Sequence, residues 1–420
     1  MARELSHPPS RRSDVTNLLI LGAVTAGARL AYAAVLPARL YSTDIHIWET
    51  VSSILQRGEN PYATTPLLYY PPFWMQTLYF LGRLSVHTHV SLAHWIQAFL
   101  TGVDVCIVVL TYAFLRYLGL GARAFWIALI GIALNPISIL MAIQHGNFDA
   151  MVGLFALGAV FGLVAWSRGA PASSLLLACL SLGLGILAKT VPLILTPLLL
   201  VRWREADWGT RIVGLALVVL PTAVGFSVLY ALAPHQVAAD ILQYRSAAGY
   251  FGVSGLLSYV GGAPLTTRYG EVYVLLALAV VLGSAILIAR PRRVEPGTIV
   301  LASVLLLMWI PAFGSGYGAQ YIGWFLPLTV VLFATSAGPL RASVAAFGVV
   351  ALLTYLFEYA YIPNTDPATH AALAPGTAST LYRLPLFLAY VLVIAVGVWT
   401  LASGRGDVRG PDRVVGPALE

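Results

Sequence analysis

Stretches of about 20 apolar residues recur along almost the whole chain, and they admit only one kind of fold. A helix of that length matches the hydrocarbon core of a bilayer, and a helix satisfies its own backbone hydrogen bonds where no water can. Such runs occupy residues 17–37, 91–115, 124–142, 150–166, 211–232, 272–289, 297–312, 319–336, 342–360 and 382–402. Residues 173–201 form one further apolar stretch, interrupted at Lys189-Thr190-Val191-Pro192, which reads as two short helices meeting at the break. Only 10% of the 420 residues are charged, against about 25% in soluble domains. The pattern predicts an all-α polytopic membrane protein with about twelve transmembrane helices.

Arginines set the expected orientation. With both termini placed in the cytoplasm, sixteen of the 24 basic residues fall on that side. They are Arg3, Arg11, Arg12, Arg116, Arg123, Arg168, Arg202, Arg204, Arg211, Arg290, Arg292, Arg293, Arg341, Arg405, Arg409 and Arg413. This is the bias of the positive-inside rule. Counting the short apolar segment Phe73 to Leu84 as a span would largely invert it, so that segment is expected to lie as an interfacial helix in the first external loop. The layout is then a cytoplasmic tail (1–16), a first helical module (17–232) carrying external loop 38–89, a second external loop (233–271), a C-terminal helical module (272–402) and a tail (403–420). The expected location is the plasma (inner) membrane, multi-pass. The net charge of +7 does not point to nucleic acid, because the arginines are scattered through short loops. Cys106 and Cys179 lie in apolar runs and read as small buried hydrophobes. A twelve-helix transporter or lipid flippase is the alternative architecture, but no internal repeat of the kind such proteins often carry is evident.

The polar residues that could carry chemistry gather at the external ends. Asp44 follows the first apolar run in Ser42-Thr43-Asp44-Ile45-His46, with Glu49 one turn on and Tyr62, Tyr69, Tyr70, Pro71 and Pro72 closing the segment. Asp44 could simply cap a helix. It could equally be a general base: a lipid-linked sugar phosphate carries its own leaving group, so transfer needs one base on the acceptor hydroxyl rather than the acid–base pair of a glycoside hydrolase. His46 and Tyr70 are candidate substrate contacts beside it. Gln144-His145-Gly146-Asn147-Phe148-Asp149 falls on the same side. Asn147 or Asp149 could cap the following helix; alternatively Asp149 binds sugar hydroxyls and His145 lies near the donor phosphate. Lys189 is the only lysine in the chain. A charge inside an apolar run costs roughly 2.5–3.5 kcal/mol on insertion scales, so it is a candidate phosphate ligand, with snorkelling to the interface as the plain alternative. Tyr244 and Arg245 could clamp phosphate from the second external loop. Gln320, Tyr321 and Trp324 could meet sugar or lipid, or form part of an aromatic belt. Asp104 lies mid-helix and is expected to be paired inside the bundle. No phosphate-binding glycine loop, zinc or calcium spacing, or paired-aspartate motif is present (the first loop reads Asp44-Ile45-His46), so neither a metal nor another cofactor is expected.

These pieces resemble the integral-membrane glycosyltransferases of the C superfold (GT-C), and among them the polyprenyl-phosphate-mannose-dependent mannosyltransferases. The resemblance rests on Asp44 just after the first helix, Gly58-Glu59-Asn60-Pro61-Tyr62, Tyr70-Pro71-Pro72, Gly146-Asn147-Phe148-Asp149, and Lys189 followed by Pro192. It implies an inverting transfer of a sugar, with mannose the first candidate, from a polyprenyl-phosphate donor to an acceptor hydroxyl on the extracytoplasmic side. It implies Asp44 as base, Lys189 and Arg245 as phosphate contacts, a glycolipid or glycan acceptor, and membrane lipids as surroundings.

Overall fold

The computed structural model describes residues 11–65, 70–236, 251–289, 294–314, 316, 318–362 and 377–403. Helix α1 (Arg11–Val35) is followed by two helices that stay short, α2 (Thr43–Gln56) and α3 (Pro72–Thr88), and then by α4 (Leu92–Tyr117). Next come α5 (Arg123–Ala133), α6 (Pro136–His145), α7 (Asp149–Ser167) and α8 (Ala172–Ala188). A 3-10 segment (Val191–Leu200) leads to α9 (Trp208–Leu232), α10 (Gly252–Ala289) and α11 (Pro296–Phe313). A second 3-10 turn (Ala319–Trp324) precedes α12 (Leu326–Thr335), α13 (Gly338–Tyr361) and α14 (Thr377–Ser403).

Among the described residues, eight helices are long and apolar enough to cross a membrane, or nine when α5 and α6 count as one bent span. The remaining apolar segments, α8, Val191–Leu200 and α12, are helical but shorter. The chain is an all-α polytopic membrane protein. Its central helix is α7, apolar on every face and mostly buried, as expected of a helix with neighbours all round. Small residues let those neighbours close in: a Cβ at Gly162 of α7 would sit 2.6 Å from the Ser174 carbonyl of α8. In lipid, where apolar burial gains little, such close backbone approach is what holds helices together.

Breaks in the helices have local causes. Pro136 drives Asn135 out of the helical region (φ −70°, ψ 120°). The Asn135 side chain then caps the next turn by accepting from Ile137 N at 3.0 Å, and α5 meets α6 at 43°. In α10, Gly262 (φ 64°, ψ −160°) interrupts the helix just before Pro264. Residues 252–271, expected as loop, are therefore helical. The expected interfacial segment is α3, preceded by α2 and a turn at Pro61–Thr64. Ser42, Asn60 and Ser91 cap α2, the Pro61–Thr64 turn and α4 by accepting from Asp44 N, Tyr62 N and His94 N. Both cysteines are free; Cys179 is buried as expected, whereas Cys106 lies on the exposed flank of α4.

The two ends of the bundle differ in chemistry. At one end Arg116 pairs with Asp14 (3.2 Å), Arg168 donates to the Tyr117 carbonyl, and Arg202 donates to the carbonyls of Trp166 and Ser167. The opposite end carries Asp44, the α6–α7 corner and Lys189. Between them, Asp104 of α4 is paired as expected. Its partner is Arg29 of α1 (Nε to Oδ2, 2.6 Å), and both side chains are sealed from solvent. Arg29 also donates to the Ala133 carbonyl (2.6 Å) and to Ser138 Oγ (2.8 Å), and Ser138 donates to Asp104. The guanidinium thereby satisfies carbonyls released where α5 ends. Breaking a buried pair leaves a lone charge at a cost of about 3–5 kcal/mol, whereas replacing both members is far milder. Arg29→Met should thus lower the unfolding temperature in detergent sharply, and adding Asp104→Leu should recover most of the loss; equal destabilisation by the single and double variants would refute the pairing argument.

Candidate active site

The site is assembled from three breaks in the helical pattern. The first is the start of α2. Ser42 ties it to the α6–α7 corner: its N–H donates to the Gln144 carbonyl (3.1 Å) and its hydroxyl to the His145 carbonyl (2.6 Å). One turn later the Trp48 indole donates to the Gly146 carbonyl (3.0 Å). The corner itself turns at Gly146, whose φ of 60° lies in the left-handed region. A Cβ there would sit 2.4 Å from Ile45 Cγ1, so the absence of a side chain lets α2 pack flat on the corner.

This contact brings Asp44 onto two donors. His145 Nε2 lies 3.1 Å from Asp44 Oδ2, and Asn147 Nδ2 donates to the same oxygen at 2.5 Å. The amide orientation is fixed because Asn147 Oδ1 accepts from Asp149 N (2.8 Å), leaving its NH₂ for Asp44. Asp44 Oδ1 accepts from none of the described residues, and the carboxylate is 21% exposed. Burial pushes the Asp44 pKa up, but the hydrogen bond and charge of His145, the Asn147 donor and the Lys189 charge outweigh it, so the carboxyl is held below the ordinary aspartate range.

The second break follows α8. Lys189 leaves the helix in an extended conformation (φ −159°, ψ 139°), and its ammonium meets Asp149 Oδ1 at 2.7 Å. Lys189 sits just past the C-terminus of α8 and Asp149 in the first turn of α7, so both helix dipoles favour the charges placed there. Four rings surround the ammonium: Tyr321 at 4.9 Å, Trp324 at 5.0 Å, Tyr70 at 5.5 Å and Phe148 at 5.6 Å from their centroids. The third break, the Ala319–Trp324 turn, supplies Tyr321 and Trp324. It fits against α7 because Gly153 lacks a side chain, whose Cβ would lie 2.2 Å from the Gly323 carbonyl, and Gly323 likewise leaves room for Met141 of α6, whose Sδ would be 2.6 Å from a Cβ there. Lys189, Tyr70, Tyr321 and Trp324 wall a cavity of about 450 Å³ that continues along Tyr273, Ala277 and Val281 of α10 and Ile310 of α11.

Of the residues singled out from sequence, Asp44, His145, Asp149, Lys189 and Tyr70 come together. They form one chain of contacts: Asp44 to Asn147, Asn147 to the Asp149 backbone, Asp149 to Lys189, Lys189 to the Tyr70 ring. His145 faces Asp44 rather than the cavity. Asp149 has no exposed surface and holds Lys189. Lys189 is drawn inward, not snorkelled outward. His46 is turned away: its side chain is 62% exposed and meets Glu49 at 3.3 Å. Gln320 is half-buried on the turn that carries Tyr321 and Trp324. Tyr244 and Arg245 lie outside the described residues. Sequence reading passed over Tyr355 and Tyr359 of α13, whose hydroxyls each lie 3.1 Å from a His145 ring nitrogen. Their only sequence signal was an aromatic pair one turn apart at the external end of an apolar run.

Gly146→Ala should disrupt the contact between α2 and the corner. Gly58, with φ of 75° and open space around it, gives a control for backbone strain alone. Overpacking costs about 1–3 kcal/mol, so Gly146→Ala should destabilise by that margin beyond Gly58→Ala in thermal unfolding; equal effects would mean that Ile45 yields freely.

No curated protein matches the chain significantly. The family model of glycosyltransferase family 87 matches residues 68–313, a stretch that begins after Asp44 and contains the α6–α7 corner, Lys189 and the α10–α11 wall of the cavity. That is more than half of the 420 residues, and the chain belongs to glycosyltransferase family 87.

Proposed function

We propose that the protein is an inverting, polyprenyl-phosphate-sugar-dependent transferase of the GT-C type, moving a sugar, with mannose the first candidate, to an acceptor hydroxyl. The acceptor is a glycolipid or glycan, and the site faces the extracytoplasmic side of the plasma membrane with both termini in the cytoplasm. The orientation is supported by the separation between the arginine-bearing end and the end holding Asp44. Membership of a glycosyltransferase family does not favour the transporter reading.

The observation that carries the proposal is the Asp44 carboxylate, held ionised with one oxygen saturated by donors and the other open, close to a caged lysine on an apolar cavity wall. In the proposed reaction Asp44 Oδ1 takes the proton from the acceptor hydroxyl as that oxygen attacks the anomeric carbon. The carbon–oxygen bond to phosphate breaks, and its electron pair stays on the phosphate. Lys189 has three N–H donors, of which Asp149 takes one, so the ammonium can stabilise the departing phosphate while staying anchored. The apolar remainder of the cavity suits the isoprenoid part of the donor. Asp149 acts by fixing Lys189, and Tyr70 by covering it. Arg245 stays a candidate second phosphate contact.

A general base contributes about 10²–10⁴-fold. Asp44→Asn should therefore lower transfer from radiolabelled polyprenyl-phosphate mannose by that factor while leaving donor binding unchanged, and turnover equal to wild type would sink the assignment. The pH dependence has a definite sign. The folded-state pKa of Asp44 is depressed, so its contribution to stability is present above the unfolded value of about 3.9 and is lost as pH falls through the folded value. Activity should stay flat from neutral pH down through the ordinary aspartate range. In Asn147→Leu, which removes a donor to the carboxylate, the acid limb should move to higher pH; an unmoved limb would mean that another group controls it.

A further inference from the structure

We infer that His145, clamped between Tyr355 and Tyr359, is a positioning residue that designates Oδ1 of Asp44 as the proton-accepting oxygen, so that the reaction depends on a tyrosine pair far outside the family match. The inference rests on the reading of Asp44 as the base.

The geometry is specific. His145 is buried, and both of its ring nitrogens are engaged: Nδ1 by the Tyr355 hydroxyl and Nε2 by Asp44 and the Tyr359 hydroxyl, all at 3.1 Å. The imidazole also packs at a tilt against Tyr359 (centroids 4.5 Å apart, planes at 31°), and Tyr359 stacks on Tyr355 (4.6 Å). A ring held on both nitrogens and one face cannot turn towards the cavity, which removes His145 from the donor phosphate. An ionised carboxylate only accepts, so the hydrogen on Nε2 points at Asp44. Nδ1 then accepts from Tyr355 in the neutral ring, or donates to the tyrosine oxygen in the charged ring.

His145 and Asn147 both address Oδ2. Two donors on one oxygen draw negative charge to it and lock the carboxylate's rotation. Oδ1 keeps its lone pairs and a fixed direction. The clamp is itself secured, since Gln144 Nε2 donates to the Tyr359 carbonyl and the Tyr32 hydroxyl donates to Gln144. Glu358, between the two tyrosines, is tied to Arg383 of α14 at 2.7 Å. The base is therefore aimed by α13, through a tyrosine 210 residues downstream of His145 in sequence.

Other charged and titratable groups around Asp44 are Asp149 at the corner, Lys189 beyond α8, and Tyr355, Glu358 and Tyr359 on α13. On its own helix, His46 and Glu49 are turned to solvent. None of these donates to Asp44, so loss of the His145 donor is not made good.

The test is the pH profile of kcat/KM for the purified full chain, with radiolabelled polyprenyl-phosphate mannose as donor and a native membrane-lipid extract as acceptor. Tyr355→Phe deletes one hydroxyl and His145→Leu deletes the donor; His145→Gln keeps an N–H for Oδ2. A misaimed group costs about ten- to a hundredfold. Tyr355→Phe and His145→Leu should show losses of that size in kcat with the acid limb shifted to higher pH and donor KM unchanged, and His145→Gln should restore part of the rate and of the limb. A uniform loss at every pH with the limb unmoved, a raised donor KM, or wild-type kinetics in Tyr355→Phe would each overturn the inference. Failure of the underlying reading is recognisable separately: the wild type would not transfer, or Asp44→Asn would match it.

Discussion

An ammonium group in an apolar setting cannot stand alone, and the Lys189–Asp149 pair is the contact on which the rest of the site depends. Each desolvated ion costs several kcal/mol. Four aromatic faces within 5.6 Å help, at about 0.5–2 kcal/mol for a cation–π contact, but do not replace a counter-charge. Asp149 supplies it at 2.7 Å. To do so, α7 must begin where α8 ends, the α6–α7 corner must turn at Gly146, and the Ala319–Trp324 turn must lie against Gly153. The helical breaks at this end of the molecule are thus what allows the charge pair to be housed.

The breaks also explain why the chemistry sits where it does. A continuous helix offers its side chains no free backbone and little freedom to converge. Where α2, α7 and α8 start or stop, unpaired backbone groups and short polar residues are available: Ser42 spans to the corner, and Asn147 accepts from Asp149 N while donating to Asp44. From sequence Asn147 reads only as a possible cap; in the structure Phe148 holds that position, and the Asn147 amide joins the first N–H of α7 to Asp44.

What the sequence revealed followed from how local the physics was. The apolar runs and their breaks could be read because hydrophobic length and proline chemistry act within a few residues. Lys189 was legible because a lone lysine in such a run has few structural uses. The partners were not legible. Arg29 meets Asp104 across 75 residues, Lys189 meets Asp149 across 40, and His145 meets Tyr355 across 210. A tyrosine near the end of an apolar run looks like any interfacial aromatic until packing shows which hydroxyl meets which ring nitrogen. His46 shows the converse. Its spacing after Asp44 resembled a site residue, but two positions along a helix is the opposite side, and it faces solvent beside Glu49.

The asymmetry of Asp44 ties these levels together. Donors to a carboxylate make it a weaker base, so a site that surrounds its base with donors trades basicity for position. Here the trade is confined to one oxygen. His145 and Asn147 converge on Oδ2, and Oδ1 stays open on a carboxylate already desolvated by its setting. Basicity lost through hydrogen bonding is partly regained through burial, which acts in the opposite sense on the same group. In the proposed transfer the departing phosphate of a lipid-linked sugar asks little of the base, so direction matters more than strength. Under the proposed mechanism a weak, ionised and well-aimed carboxylate is the form of base the reaction favours, and the helix breaks and the tyrosine clamp hold the Asp44 carboxylate in one orientation.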